Sequence, residues 1–333
     1  MKIFNTLLES IYQNKLVSSA SIVRILEKDS EENLNAIFKY ADKIKKLQLG
    51  EDIILRGIIE IGNVCDNGCF YCGLRKENKL IERYRLTERE IMKSAEEIKA
   101  AGINTVILQS GEEKYFNYKK ISSIIKKIKN KHDITITLSL GEAGYDILKE
   151  WRECGADRYF LKIETTKKEL FERIKPGKKL QKRLKCIDNL FRLGYEVGSG
   201  NIVGLPGQTI KDLAEDLIYF REKEFDMISI SPLIIHPNTP FINVKKTNYR
   251  MSLKVLALAR IITKNSNIPA TTALETLDGN LRKKALKSGA NVVMISFTPL
   301  KYKSKYEIYP DRCGGDKSAE YSIRKIAGII KMK

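Results

Sequence analysis

Short runs of β-branched and other apolar residues recur along most of this chain, and stretches with helical apolar spacing lie between them. Eight such runs lie at residues 53–64, 104–110, 134–140, 158–164, 196–204, 227–235, 269–276 and 291–298. One intervening helix is predicted to begin with a capping box formed by Thr87 and Glu90. Eight alternations of strand and helix are typical of parallel barrels, so the pattern predicts an α/β protein with a complete (β/α)8 TIM-type barrel.

This interpretation divides the chain into three parts. Residues 1–50 have helical apolar spacing and no chemical motif, which predicts an N-terminal helical lead-in. Residues 51–300 would form the barrel, and residues 301–333 a short C-terminal extension with a helix. No Gly/Ser-rich linker or low-complexity stretch interrupts the alternation, which argues against a second independent domain.

Polar and apolar residues alternate inside several of the runs. In the third run, Ile136 and Leu138 share one face, whereas Thr137 and Ser139 share the other, and the fourth and sixth runs behave likewise. The outer faces of the strands must bury the surrounding helices, so the polar faces are predicted to line a wet lumen that holds a polar ligand. The alternative is that one or two runs are amphipathic edge strands of an open sheet.

Composition narrows the class of protein. A hydrophobic fraction of 43% with 30% charged residues is typical of a soluble globular protein. No apolar run approaches the roughly 20 residues that cross a bilayer, so we expect a cytoplasmic protein with no membrane partner. The net charge of +19 would suit a nucleic acid if it were concentrated on one face. The lysines are instead spread over the predicted helices, so no nucleic-acid partner is expected.

Three of the six cysteines lie within eight residues, directly after the first run. Cys65, Cys69 and Cys72 have CxxxCxxC spacing, on a loop at the carboxyl end of the predicted barrel, where barrel active sites sit. Thiolates suit zinc or iron–sulfur clusters, and three thiolates around a 4Fe-4S cubane leave one iron free. This spacing indicates S-adenosylmethionine (SAM) as the ligand of that iron. Structural zinc is the alternative, but it would need a fourth ligand, and His132 and His236 are not nearby in sequence.

Further segments extend this motif into a family resemblance. They include LRGIIEIGNVCDNGCFYCGLR, LQSGE at 108–112, TLSLGE at 137–142, GADRYFLKIET at 155–165, VGLPGQT at 203–209, HPNTP at 236–240 and SGANVVM at 288–294. From about residue 50 to about residue 310 the chain resembles the radical SAM maturases of iron-only hydrogenases, the HydE type. The resemblance implies reductive cleavage of SAM to a 5′-deoxyadenosyl radical during maturation of the hydrogenase di-iron centre.

The resemblance also assigns roles to particular positions. Cys65, Cys69 and Cys72 would bind one 4Fe-4S cluster. SAM would be bound by Tyr71, Ser110, Gly111, Glu112, Ser139, Glu164, Arg183 and Ile202. A small polar or anionic substrate would lie deeper, against Arg158, Lys162, Thr271, Thr272 and Thr298. Lys162 replaces an arginine that is common in the family, which keeps the charge but loses the bidentate fork.

A second cluster is not expected. The accessory cluster of some family members needs three cysteines, and the C-terminal tail supplies only Cys313, while Cys154 and Cys186 are expected to be buried thiols. The resemblance implies other hydrogenase maturases as partners, a radical SAM tyrosine lyase and a GTPase scaffold, and an electron donor such as flavodoxin or ferredoxin. The main alternative is a methylornithine-synthase-like radical mutase that acts on a small amino acid. Biotin synthase is a weaker alternative, and a zinc- or cluster-binding scaffold without catalysis is the alternative outside enzymology.

Overall fold

A parallel seven-stranded sheet forms the centre of the protein in a computed structural model that describes residues 2–15, 17–113, 118–244 and 248–331. The strands are β1 Ile54–Gly62, β2 Thr105–Ser110, β3 Thr135–Ser139, β4 Arg158–Phe160, β5 Glu196–Val203, β6 Met227–Pro232 and β7 Val292–Ser296. Their order is β6-β5-β4-β3-β2-β1-β7, and every neighbouring pair is parallel. All carboxyl ends therefore meet at one rim of the sheet.

Helices precede, connect and follow the strands. They are α1 Lys2–Tyr12, α2 Ser19–Glu27, α3 Glu31–Leu49, α4 Glu88–Ala100, α5 Tyr118–Lys131, α6 Tyr145–Glu153, α7 Lys168–Ile174, α8 Leu180–Arg192, α9 Ile210–Lys223, α10 Tyr249–Thr263, α11 Thr272–Leu277, α12 Leu281–Leu286, α13 Leu300–Lys303 and α14 Ala319–Lys331. The capping box that Thr87 and Glu90 predict is present at the start of α4. Among the described helices, none is long and apolar enough to cross a lipid bilayer.

The prediction of an eighth strand at 269–276 is wrong within the described residues. Asn267 forms a single parallel bridge with Met227 of β6, and Pro269 forms one with Val292 of β7. The chain then turns into α11, because the Thr271 hydroxyl accepts a hydrogen bond from the backbone N–H of Leu274 and caps the helix. The α/β class and the barrel-like parallel sheet are confirmed, whereas a continuous eighth strand is not formed.

The two faces of the strands follow the alternation in the sequence. Ile136 and Leu138 of β3 are fully buried in the main core, under the surrounding helices. Ser139 at the end of the same strand faces the interior of the sheet, as do Ser229 and Ser231 of β6. Apolar side chains join this inner face nearer the amino ends of the strands, where Ile58, Ile107, Phe160, Met227 and Met294 contribute to it. The interior is therefore polar at the carboxyl rim and more apolar below it.

The first three helices pack against α9, α10 and α12 on the outside of the sheet. Lys254 of α10 is buried, and its Nζ donates to the carbonyl oxygens of Leu26 and Lys28. Lys45 of α3 donates in the same way to the carbonyl of Leu286 at the end of α12, over 2.7 Å. These bonds satisfy buried ammonium groups with helix-end carbonyls, so the lead-in is fixed to the body of the protein.

Candidate active site

A cavity of about 1020 Å³ opens at the carboxyl rim of the sheet. Most of the residues proposed from the sequence line it: Cys65, Cys69, Tyr71, Cys72, Ser110, Gly111, Glu112, Ser139, Lys162, Glu164, Arg183, Ile202, Thr271 and Thr272. They come from loops and strand ends that are far apart in sequence, and parallel strand order brings them to one rim. Two proposed substrate residues, Arg158 and Thr298, do not line this cavity.

The three cysteines lie on the loop that follows β1, and this loop is tied to two other elements. The backbone N–H of Asp66 donates to the carbonyl of Glu112 over 2.8 Å, and that of Phe70 donates to the carbonyl of Ile174 over 2.9 Å. Close packing requires a glycine at position 111, because a Cβ there would lie 2.2 Å from the carbonyl oxygen of Val64. The loop therefore holds its thiols in a fixed place beside the ends of β2 and α7.

The donor set suits an iron–sulfur cubane. Burial raises the pKa of Cys65 and of Cys72, so iron must displace their protons on binding. In the described part of the chain, no three His, Cys, Asp or Glu side chains converge closely enough to share one metal ion. A cubane does not require that convergence, because each thiolate binds a different iron. Three soft donors on one rigid loop, open to a cavity, therefore fit a 4Fe-4S cluster.

Glu164 lines the cavity in a backbone conformation that non-glycine residues seldom adopt. Its φ is +67°, and the neighbouring strand holds it through bonds from Glu164 N to Gly200 O and from Ile202 N to Glu164 O. The Tyr71 hydroxyl donates to Oε1 of Glu164 over 2.9 Å. Oε2 has no hydrogen-bond partner among the described residues. The carboxylate therefore presents one acceptor atom without a hydrogen bond, which suits a ligand ammonium or hydroxyl.

Lysines surround this carboxylate and keep it ionised. Lys175 Nζ lies 3.5 Å from Oε1, and Lys162 Nζ lies 3.8 Å from Oε2. Burial raises the pKa of Glu164, but Lys175, Lys162 and Arg183 outweigh burial, so the pKa lies below its ordinary value. Lys162 therefore lines the cavity and also forms an ion pair with Glu164, a residue expected to bind SAM. Strand periodicity alone does not predict this ion pair.

Arg183 and Glu112 belong to one buried ion network. Arg183 Nε donates to Oε1 of Glu142 over 2.7 Å, and its Nη2 lies 3.8 Å from Oε2 of Glu112. Lys178 pairs with Glu112 and lies 3.4 Å from Oε2 of Glu142. Burial lowers the pKa of Arg183, but Glu142 and Glu112 outweigh it, so the pKa is raised and the guanidinium stays charged. The network fixes two of the expected SAM-binding side chains against each other.

Three members of these groups were not found from the sequence: Glu142, Lys175 and Lys178. Glu142 ends the TLSLGE segment after β3, so its place at the carboxyl rim could have indicated it. Lys175 and Lys178 follow α7 in a lysine-rich stretch that reads as solvated surface. No local signal distinguishes them, because their contacts are made with residues 11 to 104 positions earlier in the chain, on separate loops.

Arg158, predicted to contact the substrate, lies away from the large cavity. It is the first residue of β4, and its Nε donates to the carboxylate of Glu196. With Arg56 it lines a small second cavity at the amino ends of the strands. Arg158 shares a strand face with Lys162, but it lies at the opposite end of the interior. Alternation predicts the face of a strand and not the depth along it.

Thr298 is also placed differently from the prediction, because it supports a buried carboxylate behind the cavity wall. Its hydroxyl donates to Oε2 of Glu60, and the backbone N–H of Glu60 donates to Thr298 Oγ1 over 2.7 Å. Arg312, from the extension after β7, donates from Nη1 to Oε1 of Glu60 over 2.7 Å. Burial raises the pKa of Glu60, but Arg312, Thr298 and Ser296 outweigh burial, so the pKa is lowered. This ion pair holds the extension against the barrel interior.

Comparison with known proteins adds to this geometry. Residues 59–220 match the family model described as the Radical SAM superfamily. Over 277 residues the chain is 46% identical to the FeFe hydrogenase maturase subunit HydE of Thermotoga maritima. The aligned region covers 83% of this chain and 79% of that protein. The chain belongs to the HydE family of radical SAM proteins. A 4Fe-4S cluster and SAM are the cofactors that this HydE-family membership implies.

Two more distant relatives place the HydE-family fold in a wider group. The chain is 28% identical to 3-methylornithine synthase of Methanosarcina acetivorans over 287 residues, or 86% of this chain and 81% of that protein. A crystal structure of methylornithine synthase superposes with a TM-score of 0.84 at 22% identity, covering 97% of this chain and 96% of that chain. The superposition supports the fold alone.

The remaining cysteines of this HydE-family chain lie apart from the three-cysteine loop. Cys154 follows α6 and Cys186 lies within α8, and both are buried in the main core. Cys313 is half-buried at the edge of the large cavity, where its backbone N–H donates to the Thr276 hydroxyl over 2.9 Å. Burial and the nearby Glu275 carboxylate raise the pKa of Cys313. Within the described residues, no second group of three thiols accompanies it.

Proposed function

We propose that this chain is a radical SAM enzyme of FeFe hydrogenase maturation that uses one 4Fe-4S cluster. The family relationship to HydE supports the reaction class. The observation that carries the proposal is the shared cavity, which joins three thiols on one loop to an ion network on the facing strand ends. When bound, the cluster supplies the electron that breaks the C5′–S bond of SAM.

Each side chain then has a role that its chemistry allows. Cys65, Cys69 and Cys72 would hold three irons of the cluster, which leaves the fourth for SAM. Oε2 of Glu164, which accepts no hydrogen bond from the described residues, would accept one from the SAM ammonium or a ribose hydroxyl. Arg183 would face the SAM carboxylate, since its guanidinium stays charged in a buried site.

The remaining SAM-binding residues are proposed to shape the pocket around these charged groups. Tyr71 positions the Glu164 carboxylate through its hydroxyl, and Ser139 offers a hydroxyl at the rim. Ile202 provides an apolar wall of the kind that an adenine ring packs on, next to the Glu164 backbone. Ser110 and Gly111 bring the end of β2 against the cluster loop, and Glu112 holds Arg183 in place.

The substrate is proposed to be a small polar or anionic molecule. Lys162, Thr271 and Thr272 line the same cavity and would supply the charge and the hydroxyls. We also propose that residues 267–270, which are bonded to both β6 and β7, close the sheet into a complete eight-fold barrel around it. In this arrangement residues 51–300 form the catalytic barrel, residues 1–50 pack on its outside, and residues 301–333 extend across the cavity side, where Arg312 and Cys313 line the cavity. The proposed protein partners are the other hydrogenase maturases and a flavodoxin- or ferredoxin-type electron donor.

Anaerobic reconstitution with iron and sulfide tests the core of this proposal. Wild-type protein should take up about four irons per chain, show a 4Fe-4S spectrum and release 5′-deoxyadenosine from SAM once reduced. Cys69→Ala should lose the cluster and the product, whereas the matched variant Cys313→Ala should keep both. Reduced, cluster-loaded protein that released no 5′-deoxyadenosine would refute the catalytic role.

The sequence similarity to 3-methylornithine synthase favours one second candidate, a radical mutase of a small amino acid. A hydrogenase-maturation complementation assay separates the two. Restored hydrogenase activity in a strain without its own HydE supports the maturase. Conversion of an added amino acid to a rearranged isomer, without complementation, supports the mutase.

A further inference from the structure

Lys175 is a buried cation at the junction between the cysteine loop and Glu164. Its side chain is 7% exposed, and its Nζ lies 3.5 Å from Oε1 of Glu164 and 3.5 Å from the Tyr71 hydroxyl. The residue before it, Ile174, accepts the backbone hydrogen bond from Phe70. The lysine is therefore attached to the cysteine loop at its base and reaches the cavity at its tip.

The local chain fixes this position. Lys175 is the C-cap residue of α7, and its backbone N–H donates to the carbonyl of Phe171. Gly177, at φ +77°, then turns the chain away from the helix. The ammonium lies 6.0 Å from the ring centroid of Phe171, which it approaches from the face of the aromatic ring. A lysine held in this way cannot move its charge into solvent without disturbing the helix end.

The charge of Lys175 is only partly neutralised by the protein. Its nearest carboxylate is that of Glu164. That carboxylate also forms an ion pair with Lys162 and accepts a hydrogen bond from the Tyr71 hydroxyl. Lys178 is different, because it pairs with both Glu112 and Glu142. The buried group contains four cations and three carboxylates: Lys162, Lys175, Lys178 and Arg183 against Glu112, Glu142 and Glu164. One positive charge is therefore left over in this group, most of which lines the same cavity as the thiols.

Burial lowers the pKa of Lys175, but negative charge at Cys69, then at Glu164, outweighs it, so the ammonium form is favoured. The geometry places this cation beside the cysteine loop, because Lys175 lines the same cavity as the three thiols and its Nζ lies 3.5 Å from the hydroxyl of Tyr71, the residue before Cys72.

We infer that Lys175 raises the reduction potential of the cluster held by Cys65, Cys69 and Cys72. A 4Fe-4S cluster gains one negative charge on reduction, and a fixed cation nearby stabilises the reduced form more than the oxidised form. The inference rests on the proposed function, since it requires a cluster on this loop. Lys175 would make the cluster reducible by a donor of less negative potential.

A redox titration monitored by electron paramagnetic resonance, without SAM, tests this inference. The variants are Lys175→Met, Lys175→Arg and a matched control, Lys182→Met, which removes one exposed lysine from α8. We expect the midpoint potential of K175M to shift to a more negative value than wild type. K175R should restore the potential, because it keeps the charge, and K182M should not change it.

The outcomes separate the two proposals. A wild-type protein that takes up no 4Fe-4S cluster refutes the proposed function and this inference together. A loaded K175M protein with the wild-type potential refutes only the role of Lys175. A K175M protein that folds by circular dichroism but takes up no cluster, while K175R does, assigns Lys175 to cluster assembly and also overturns the inference.

Discussion

Asp216 makes the stability of this protein depend on pH. Its side chain is fully buried on α9, where it accepts hydrogen bonds from Thr166 N over 2.7 Å and from Asn201 Nδ2 over 2.9 Å. These bonds connect α9 to the residues next to Glu164 and on the neighbouring strand. Burial outweighs them and raises the pKa of Asp216 from 3.8 to about 6.

The direction in which stability changes with pH follows from the linkage between protonation and folding. A carboxyl whose pKa is raised in the folded state stabilises the fold below its unfolded pKa, and this stabilisation is lost as the pH rises through the folded value. The full shift corresponds to about 3 kcal/mol at 1.36 kcal/mol per pKa unit, of which about 2 kcal/mol is lost between pH ~4.5 and ~7.

Urea unfolding of the cluster-free protein at several pH values measures this effect. The free energy of unfolding of wild type minus that of Asp216→Asn should fall by about 2 kcal/mol from pH ~4.5 to ~7. Glu215→Gln, one residue earlier on α9 and partly exposed, is the matched control and should follow wild type. Parallel curves for wild type and D216N across this range would show that Asp216 does not titrate there.

Three further substitutions test other parts of the structure. Gly111→Ala should lower the iron content after reconstitution at least several-fold, because its Cβ would overlap the cysteine loop. The control Gly144→Ala, where nothing lies within 4 Å of the added Cβ, should leave the iron content unchanged. Arg183→Lys should weaken SAM binding in isothermal titration calorimetry by at least ~10-fold, since it keeps the charge but loses the hydrogen bond from Nε to Glu142. An unchanged affinity for SAM would show that Arg183 does not bind SAM. Arg312→Gln should destabilise the protein by about 3 kcal/mol in urea unfolding, because it leaves the Glu60 carboxylate buried without its cation; a loss below ~1 kcal/mol would contradict this role.

The sequence predicted the layered fold well because alternation of strands and helices is repeated many times. It failed at the run 269–276, where small apolar residues and threonines satisfy a strand pattern and a helix cap equally. The competing signal was Thr271 followed by Ala273 and Leu274, which begins a helix once the hydroxyl caps it. A pattern of period two over so few residues cannot separate the two structures.

The candidate site was predictable where its chemistry is concentrated in one segment. Cys65, Cys69 and Cys72 needed only their spacing and the strand before them. Lys175 was not predictable, because its partners Tyr71 and Glu164 meet it only when the β1 loop and the end of α7 converge at the rim. Contacts of this kind depend on the lengths of the intervening elements, which local periodicity does not fix.

The backbone at position 164 has a consequence for laboratory evolution of this enzyme. A positive φ at a glutamate costs about 1–3 kcal/mol, a strain that Glu164→Gly would release while also removing the carboxylate from the cavity. The same change would leave Lys162 and Lys175 buried without their carboxylate, at a cost of about 3–5 kcal/mol that exceeds the released strain, so selection for heat resistance should retain Glu164. Libraries built to stabilise the protein should keep codon 164 fixed and draw their gains from the outer helices.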